Sequence, residues 1–257
     1  LTLAACAAFT AASIPGEMSR VRAAYTPRVW VRASFAFLAV MVAAAINERI
    51  DLVMMGMVAE PAAVAQYAVA ARFAQTVLAT VSASAAVMAP RLVERLPQLE
   101  AGDRTQTGQL VRATARTMLG VSLLALVGLA AFGPWLLKLF GPHYESAIVP
   151  MLVLVAGQSA AASFGPAGSV ATFMGHSRLA VASLVAGILT NAGLNLALVP
   201  RLGALGAAIA TGCGMIVASV LAWTLVRHRL HLDTSVFAKT VKADINAASP
   251  AGDVAAQ

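Results

Sequence analysis

The apolar residues of this chain fall in blocks about as long as a bilayer is thick, separated by short polar connectors. Six blocks read as complete spans, at residues 33–58, 64–89, 117–140, 147–173, 179–199 and 204–227. A helix crossing the hydrocarbon core needs about 20 mostly apolar residues. No block alternates apolar and polar positions in the roughly ten-residue rhythm of a membrane strand. The expected fold class is therefore all-α integral membrane, a six-helix transmembrane lobe over 33–227. Residues 1–13 (LTLAACAAFTAAS) read as the end of a truncated transmembrane helix rather than a signal peptide, which marks the chain as a fragment. A polar connector, expected to be cytoplasmic, fills 14–32, broken by Pro15, Gly16 and Pro27. The longest internal connector, 91–116, opens amphipathically (RLVERL) and is expected to lie on the membrane surface. Residues 228–257 are polar and Ala-rich, and read as a mostly disordered cytoplasmic tail.

Two spans carry marks of their own. The fourth is interrupted by Pro150, Gly157 and the Gly165-Pro166 pair, and the last pair is read either as a hinge or as a packing kink. In the sixth, Gly206, Ala210, Gly214 and Ala218 recur every fourth position, a small-residue ridge that lets a neighbouring backbone approach closely.

Composition agrees with the pattern. Of the residues, 60% are hydrophobic and 11% charged, with mean hydropathy +0.80, against about 25% charged in a soluble domain. The net charge of +7 does not point to nucleic acid, because the cations sit in alternate connectors. Of the 18 Lys and Arg residues, 14 lie in 14–32, 91–116, 175–178 and the tail together with Arg227 at its start, two (Lys138 and Arg201) lie on the opposite side, and two (Arg49 and Arg72) lie inside spans. Cytoplasmic loops carry the excess of Lys and Arg, so both ends of the six-span unit are expected in the cytoplasm. Cys6 and Cys213 are far apart in apolar segments and imply neither disulfide nor metal site. His228 and His231 read as solvated tail residues rather than metal ligands.

The chemistry concentrates in the first two spans. Asn47, Glu48, Arg49 and Asp51 form a polar island inside 33–58, with Asn47, Glu48 and Asp51 on one helical face and Arg49 largely opposite. A charge at the bilayer centre costs at least roughly 2.5–3.5 kcal/mol, so such residues face other helices or a wet cavity. On the second span, Arg72, Gln75, Thr76 and Thr80 make a polar stripe. Counting 1.5 Å per residue from the intervening loop puts Asp51 and Arg72 each roughly 12–14 Å deep. Glu48 or Asp51 is therefore expected level with Arg72, either lining a cavity that meets a charged substrate or coupling ion, or bracing the two helices as a buried ion pair. Asn191 and Asn195, at i and i+4 of the fifth span, read as sugar contacts or as hydrogen bonds between helices.

Three stretches carry a family resemblance: Asp51-Leu-Val-Met-Met-Gly56 with Ala65-Gln-Tyr67-Ala-Val-Ala-Ala-Arg72-Phe; Leu136-Leu-Lys-Leu-Phe140-Gly141-Pro-His-Tyr144-Glu-Ser-Ala147; and Asn191-Ala-Gly-Leu-Asn195 through Pro200-Arg-Leu-Gly203-Ala-Leu-Gly206 to Thr211. In this order and spacing the chain resembles the second lobe of polysaccharide flippases, in the superfamily of the multidrug and toxic compound extrusion transporters and the lipid II flippases. The resemblance implies a two-lobed, alternating-access transporter around a central cavity. It implies an undecaprenyl-diphosphate-linked oligosaccharide as substrate, the bacterial inner membrane as location, and an N-terminal lobe absent from this chain as partner. Within the same superfamily a cation-coupled multidrug exporter is the alternative, with Glu48 and Asp51 as proton or sodium site. A membrane scaffold or an integral membrane enzyme on lipid-linked sugars are alternatives of another class. No exposed loop holds a paired-carboxylate or His/acid constellation for such an enzyme. No GxxxxGK[ST] phosphate loop is present, and neither a cofactor nor a metal is expected.

Overall fold

Apolar runs free of breakers fold into long helices, and a computed structural model of the chain, describing residues 31, 34, 38, 49–95 and 105–237, shows how long. Residues 1–44 and 45–257 form two separate compact units. Among the described residues of the second, seven helices are bounded: α1 (Ile50–Val58), α2 (Pro61–Glu94), α3 (Thr105–Lys138), α4 (Ile148–Ala162), α5 (Ala167–Phe173), α6 (Ser177–Leu202) and α7 (Ala204–Leu230), with a 3₁₀ turn at Pro142–Ala147 before α4. Among the described residues, five stretches are long and apolar enough to cross a membrane: Pro61–Glu94, Gln106–Lys138, His143–Ala162, Ser177–Leu202 and Ala204–Leu230. This is the architecture of a multi-pass membrane protein. The first of the six expected spans lies mostly outside the described residues; its continuous described part runs from a turn at Arg49 through α1.

Helices α2 and α3 have 34 residues each, about 50 Å at 1.5 Å per residue, and outrun a core about 30 Å thick. Much of the connector expected at 91–116 is therefore helix. Pro90 does not end α2, because its ring is exposed and the turns around it are pinned by buried Met88 and Leu92, which pack with Val111 of α3. In the fourth expected span, Pro150 falls in the first turn of α4, where the missing N–H had no helical partner. Gly157 continues α4 and meets α7, since a Cβ there would lie 2.6 Å from Gly212 Cα. Only Gly165-Pro166 breaks this span, separating α4 from α5.

The centre of the bundle is α7. It packs most extensively on α6 and next on α4. Along the α6 contact, a Cβ on Gly214 would lie 2.8 Å from Gly187 O, and one on Gly206 2.5 Å from Leu198 O. The every-fourth-residue ridge thus sets how closely the two helices approach. The outer faces of α3 and α6 are what lipid requires: Leu123, Leu124, Val127, Phe132 and Trp135 on one, Val181, Val185, Leu189 and Leu196 on the other, all exposed.

Beyond α7 the structure departs from the expected disordered tail. His231 takes the left-handed conformation at φ 51° and the chain turns back. Leu232 enters the apolar cluster of Met88, Leu92, Val111 and Val226, while Thr234 and Ser235 are also buried. An apolar anchor and satisfied hydroxyls order these residues; the tail from 238 onward lies outside the described residues.

Candidate functional site

Two polar assemblies stand out, one inside the lobe and one on its surface. The inner assembly begins at the N-terminus of α1, where Asp51 is only 6% exposed. One carboxylate oxygen accepts the Leu52 N–H at 3.0 Å, and the other accepts the hydroxyl of fully buried Tyr67 on α2. The Thr211 hydroxyl on α7 interacts with both Asp51 and Tyr67, and it donates to Asn191 Oδ1 on α6 at 3.3 Å. Asn195 Nδ2 donates to Asn191 O at 3.0 Å and to Asn191 Oδ1 at 2.7 Å. Asn195 Oδ1 is buried and accepts no hydrogen bond. Four helices thus meet at one buried carboxyl, two hydroxyls and two amides.

These partners of Asp51 are neutral groups. Burying a charge without a partner costs several kcal/mol. Among the described residues no cluster of three His, Cys, Asp or Glu forms a metal site.

The outer assembly is one face of α2. Between residues 65 and 87 the exposed positions of α2 are Ala65, Arg72, Thr76, Leu78, Ala79, Thr80, Ser82, Ala83, Ala86 and Val87; Leu78 lies about 120° around the helix from Arg72, and Val87 is the large apolar side chain on the Arg72 side. The Arg72 guanidinium donates to Gln75 Oε1 at 3.3 Å. Hydroxyls of Thr76, Thr80 and Ser84 each donate to the carbonyl four residues back, at 3.0, 3.0 and 3.4 Å. Such back-bonding satisfies a hydroxyl even against lipid, so the threonines do not by themselves require water. The Arg72 side chain does. It stands eleven residues after Pro61, about 17 Å along the helix.

The expected pairing of Asp51 with Arg72 does not form. Asp51 is bonded to Tyr67, while Arg72 lies about 140° around α2 from Tyr67, on the exposed face. The ion pairs among the described residues are Lys138–Glu145 at 3.8 Å and Arg227–Asp233 at 3.7 Å, and neither involves Asp51 or Arg72. Asp51 meets Tyr67, five residues and about 7.5 Å short of Arg72 along α2, so counting along the helices matched neither the partner's depth nor its rotation. Arg49 is exposed, Gln75 and Thr76 stay with Arg72 on the stripe, and Asn191 and Asn195 are inside the lobe rather than on an open surface. Asn47 and Glu48 lie outside the described residues.

Three contributors were not singled out as site residues from the chain alone. Tyr67 and Thr211 complete the carboxyl cluster, and Gln158 of α4 donates to Ala74 O at 3.0 Å while its buried Oε1 accepts no hydrogen bond. The available signal was rotational: Tyr67, Ala70 and Ala74 share the buried face of α2, so the polar residue among them is the one that reaches Asp51. Comparison with protein-family models, curated proteins and solved structures finds no match to this chain.

Proposed function

We propose that this chain is one lobe of an alternating-access transporter that carries an undecaprenyl-diphosphate-linked oligosaccharide across the bacterial inner membrane for cell-surface polysaccharide biosynthesis. The observation that carries the reading is the exposed face of α2. In a lobe whose other outer faces bear Leu, Val, Phe and Trp, this face bears Arg72, Gln75, Thr76 and Thr80 among alanines. Lipid would leave the Arg72 charge unsolvated at a cost of roughly 2.5–3.5 kcal/mol or more; a watery path completed by a second lobe would not. A diphosphate passing along it offers the anion that a guanidinium binds through two parallel hydrogen bonds. The excess of Lys and Arg in alternate connectors supports a topology with both ends of the six-span unit in the cytoplasm. The reading assigns movement of the substrate and no bond-making chemistry.

A second reading has its own support. The cluster at Asp51 gathers four helices around a buried carboxyl bonded to neutral groups, which suits a proton- or sodium-coupled drug exporter as well as a flippase. The test is flipping of a labelled lipid-linked oligosaccharide by the full-length protein in proteoliposomes. Arg72→Ala is expected to abolish flipping with membrane abundance unchanged, and Arg72→Lys to retain part of it. Full flipping by Arg72→Ala removes the substrate role, and drug efflux without flipping favours the exporter.

A further inference from the structure

The break at Gly165-Pro166 leaves helical carbonyls at the end of α4 without helical donors, as every helix end does. Here the donors come from 70 residues further along the chain. Thr234 Oγ1 donates to Phe164 O at 2.8 Å, and the Val236 N–H donates to Ser163 O at 2.9 Å. Gly165, at φ +71°, lies so close beneath the returning segment that a Cβ would stand 2.1 Å from Thr234 O and 3.0 Å from Ala115 Cβ of α3.

The segment is itself tied down. Asp233 Oδ1 accepts Trp223 Nε1–H at 2.8 Å, the Ser235 N–H at 3.0 Å and the Ser235 hydroxyl at 2.8 Å. Arg227 pairs with the same carboxylate, and its guanidinium stands 5.3 Å from the centroid of the Trp223 ring. Trp223 in turn packs on Phe164, centroids 5.6 Å apart. Leu232 plugs the core below, between α2, α3, α5 and α7.

We infer that residues 232–236 are a clasp that bonds the end of α4 to the end of α7 and makes the Gly165-Pro166 break a rigid joint, not a hinge. Backbone bends where its hydrogen bonds are open; here the open carbonyls are occupied and a backbone carbonyl is wedged against Gly165. Motion of the lobe is then motion of the whole α3–α4–α5–α7 block. The inference stands whether or not the substrate reading does, because it concerns the joint alone.

The test is amide hydrogen exchange of the full chain in lipid nanodiscs, followed in peptides covering 159–170. Unmodified protein is expected to exchange the amides of 163–170 about as slowly as those of α6. Thr234→Val, which keeps side-chain volume and deletes the donor to Phe164 O, and Val236→Pro, which deletes the donor to Ser163 O, are each expected to speed exchange at 163–170 at least about tenfold, with α6 unchanged. Fast exchange at 163–170 in the unmodified protein, or no acceleration in either variant, overturns the inference. A third arm needs no weakened fold: cysteines at Ser163 and Val236, joined by a short thiol crosslinker, are expected to leave exchange at 163–170 as slow as before. If joining them slows it markedly, the clasp was opening in the native state and the joint is not rigid.

Discussion

Tyr67→Phe removes one oxygen from the centre of the lobe and changes almost nothing else. The hydroxyl lost is fully buried and donates to Asp51, which is itself 6% exposed. A buried carboxyl left short of a donor costs about 1–3 kcal/mol, a factor of roughly 5 to 150 in the folding equilibrium. Arg72→Ala is the contrast, five residues along the same helix. The Arg72 contact to Gln75 is long, at 3.3 Å, and exposed. An exposed substitution of that kind is worth within about 0.5 kcal/mol. Reversible unfolding in mixed micelles, followed by far-ultraviolet circular dichroism, is expected to rank Tyr67→Phe clearly below Arg72→Ala. Tyr67→Phe combined with Asp51→Asn is expected to be non-additive, because both act on one network. Equal losses for Tyr67→Phe and Arg72→Ala would refute the division into an inner bracing cluster and an outer functional stripe.

Two other expectations follow from local geometry and charge. Gly214→Ala puts a Cβ 2.8 Å from Gly187 O and 2.9 Å from Asn191 Cβ, so overpacking is expected to destabilise by about 1–3 kcal/mol; Gly128→Ala meets nothing within 4 Å and is expected to be neutral or stabilising through helix propensity, both read by the same unfolding assay. Burial pushes the Asp233 carboxyl up, but the donors on Trp223 and Ser235, with Arg227 beside them, outweigh it and hold the group below the usual carboxylate range. The support Asp233 gives the clasp is therefore fully present above about pH 4, the ordinary carboxyl range, and lost as pH falls through its lower native value. Trp223-sensitive fluorescence is expected to be flat from pH 8 to 5 and to change below 4; a transition near pH 6 would contradict this.

Much of the bundle was legible in the chain because span length and small-residue spacing depend on local sequence. The fifth and sixth spans, read at 179–199 and 204–227, fold as Ser177–Leu202 and Ala204–Leu230, and Gly206, Ala210 and Gly214 are buried as their spacing predicts. What composition could not show was where helices run on past the bilayer: Arg91 and Arg112 look like loop residues, yet α2 and α3 extend through them because Leu92 and Val111 pack. The site was half legible. Asp51 and Arg72 were both singled out, but their partners depend on how α2 is rotated against α1, α6 and α7, a tertiary quantity that no count along one helix contains. The clasp was missed for a related reason. Residues 231–237 (HLDTSVF) carry four polar side chains in seven with no helical period, and their order rests on contacts with Trp223 in α7 and with Phe164, 70 residues away in sequence.

The central claim, that the outer face of α2 meets water inside the membrane, is open to direct measurement. In full-length protein with Cys6 and Cys213 replaced by serine, single cysteines are placed at Thr76 and Thr80 on that face and at Leu124 and Leu189 on the apolar faces of α3 and α6. A membrane-impermeant maleimide is expected to label the first pair and leave the second unlabelled. Labelling of neither pair, or of both alike, would mean that α2 faces lipid like its neighbours and that no watery path runs along it.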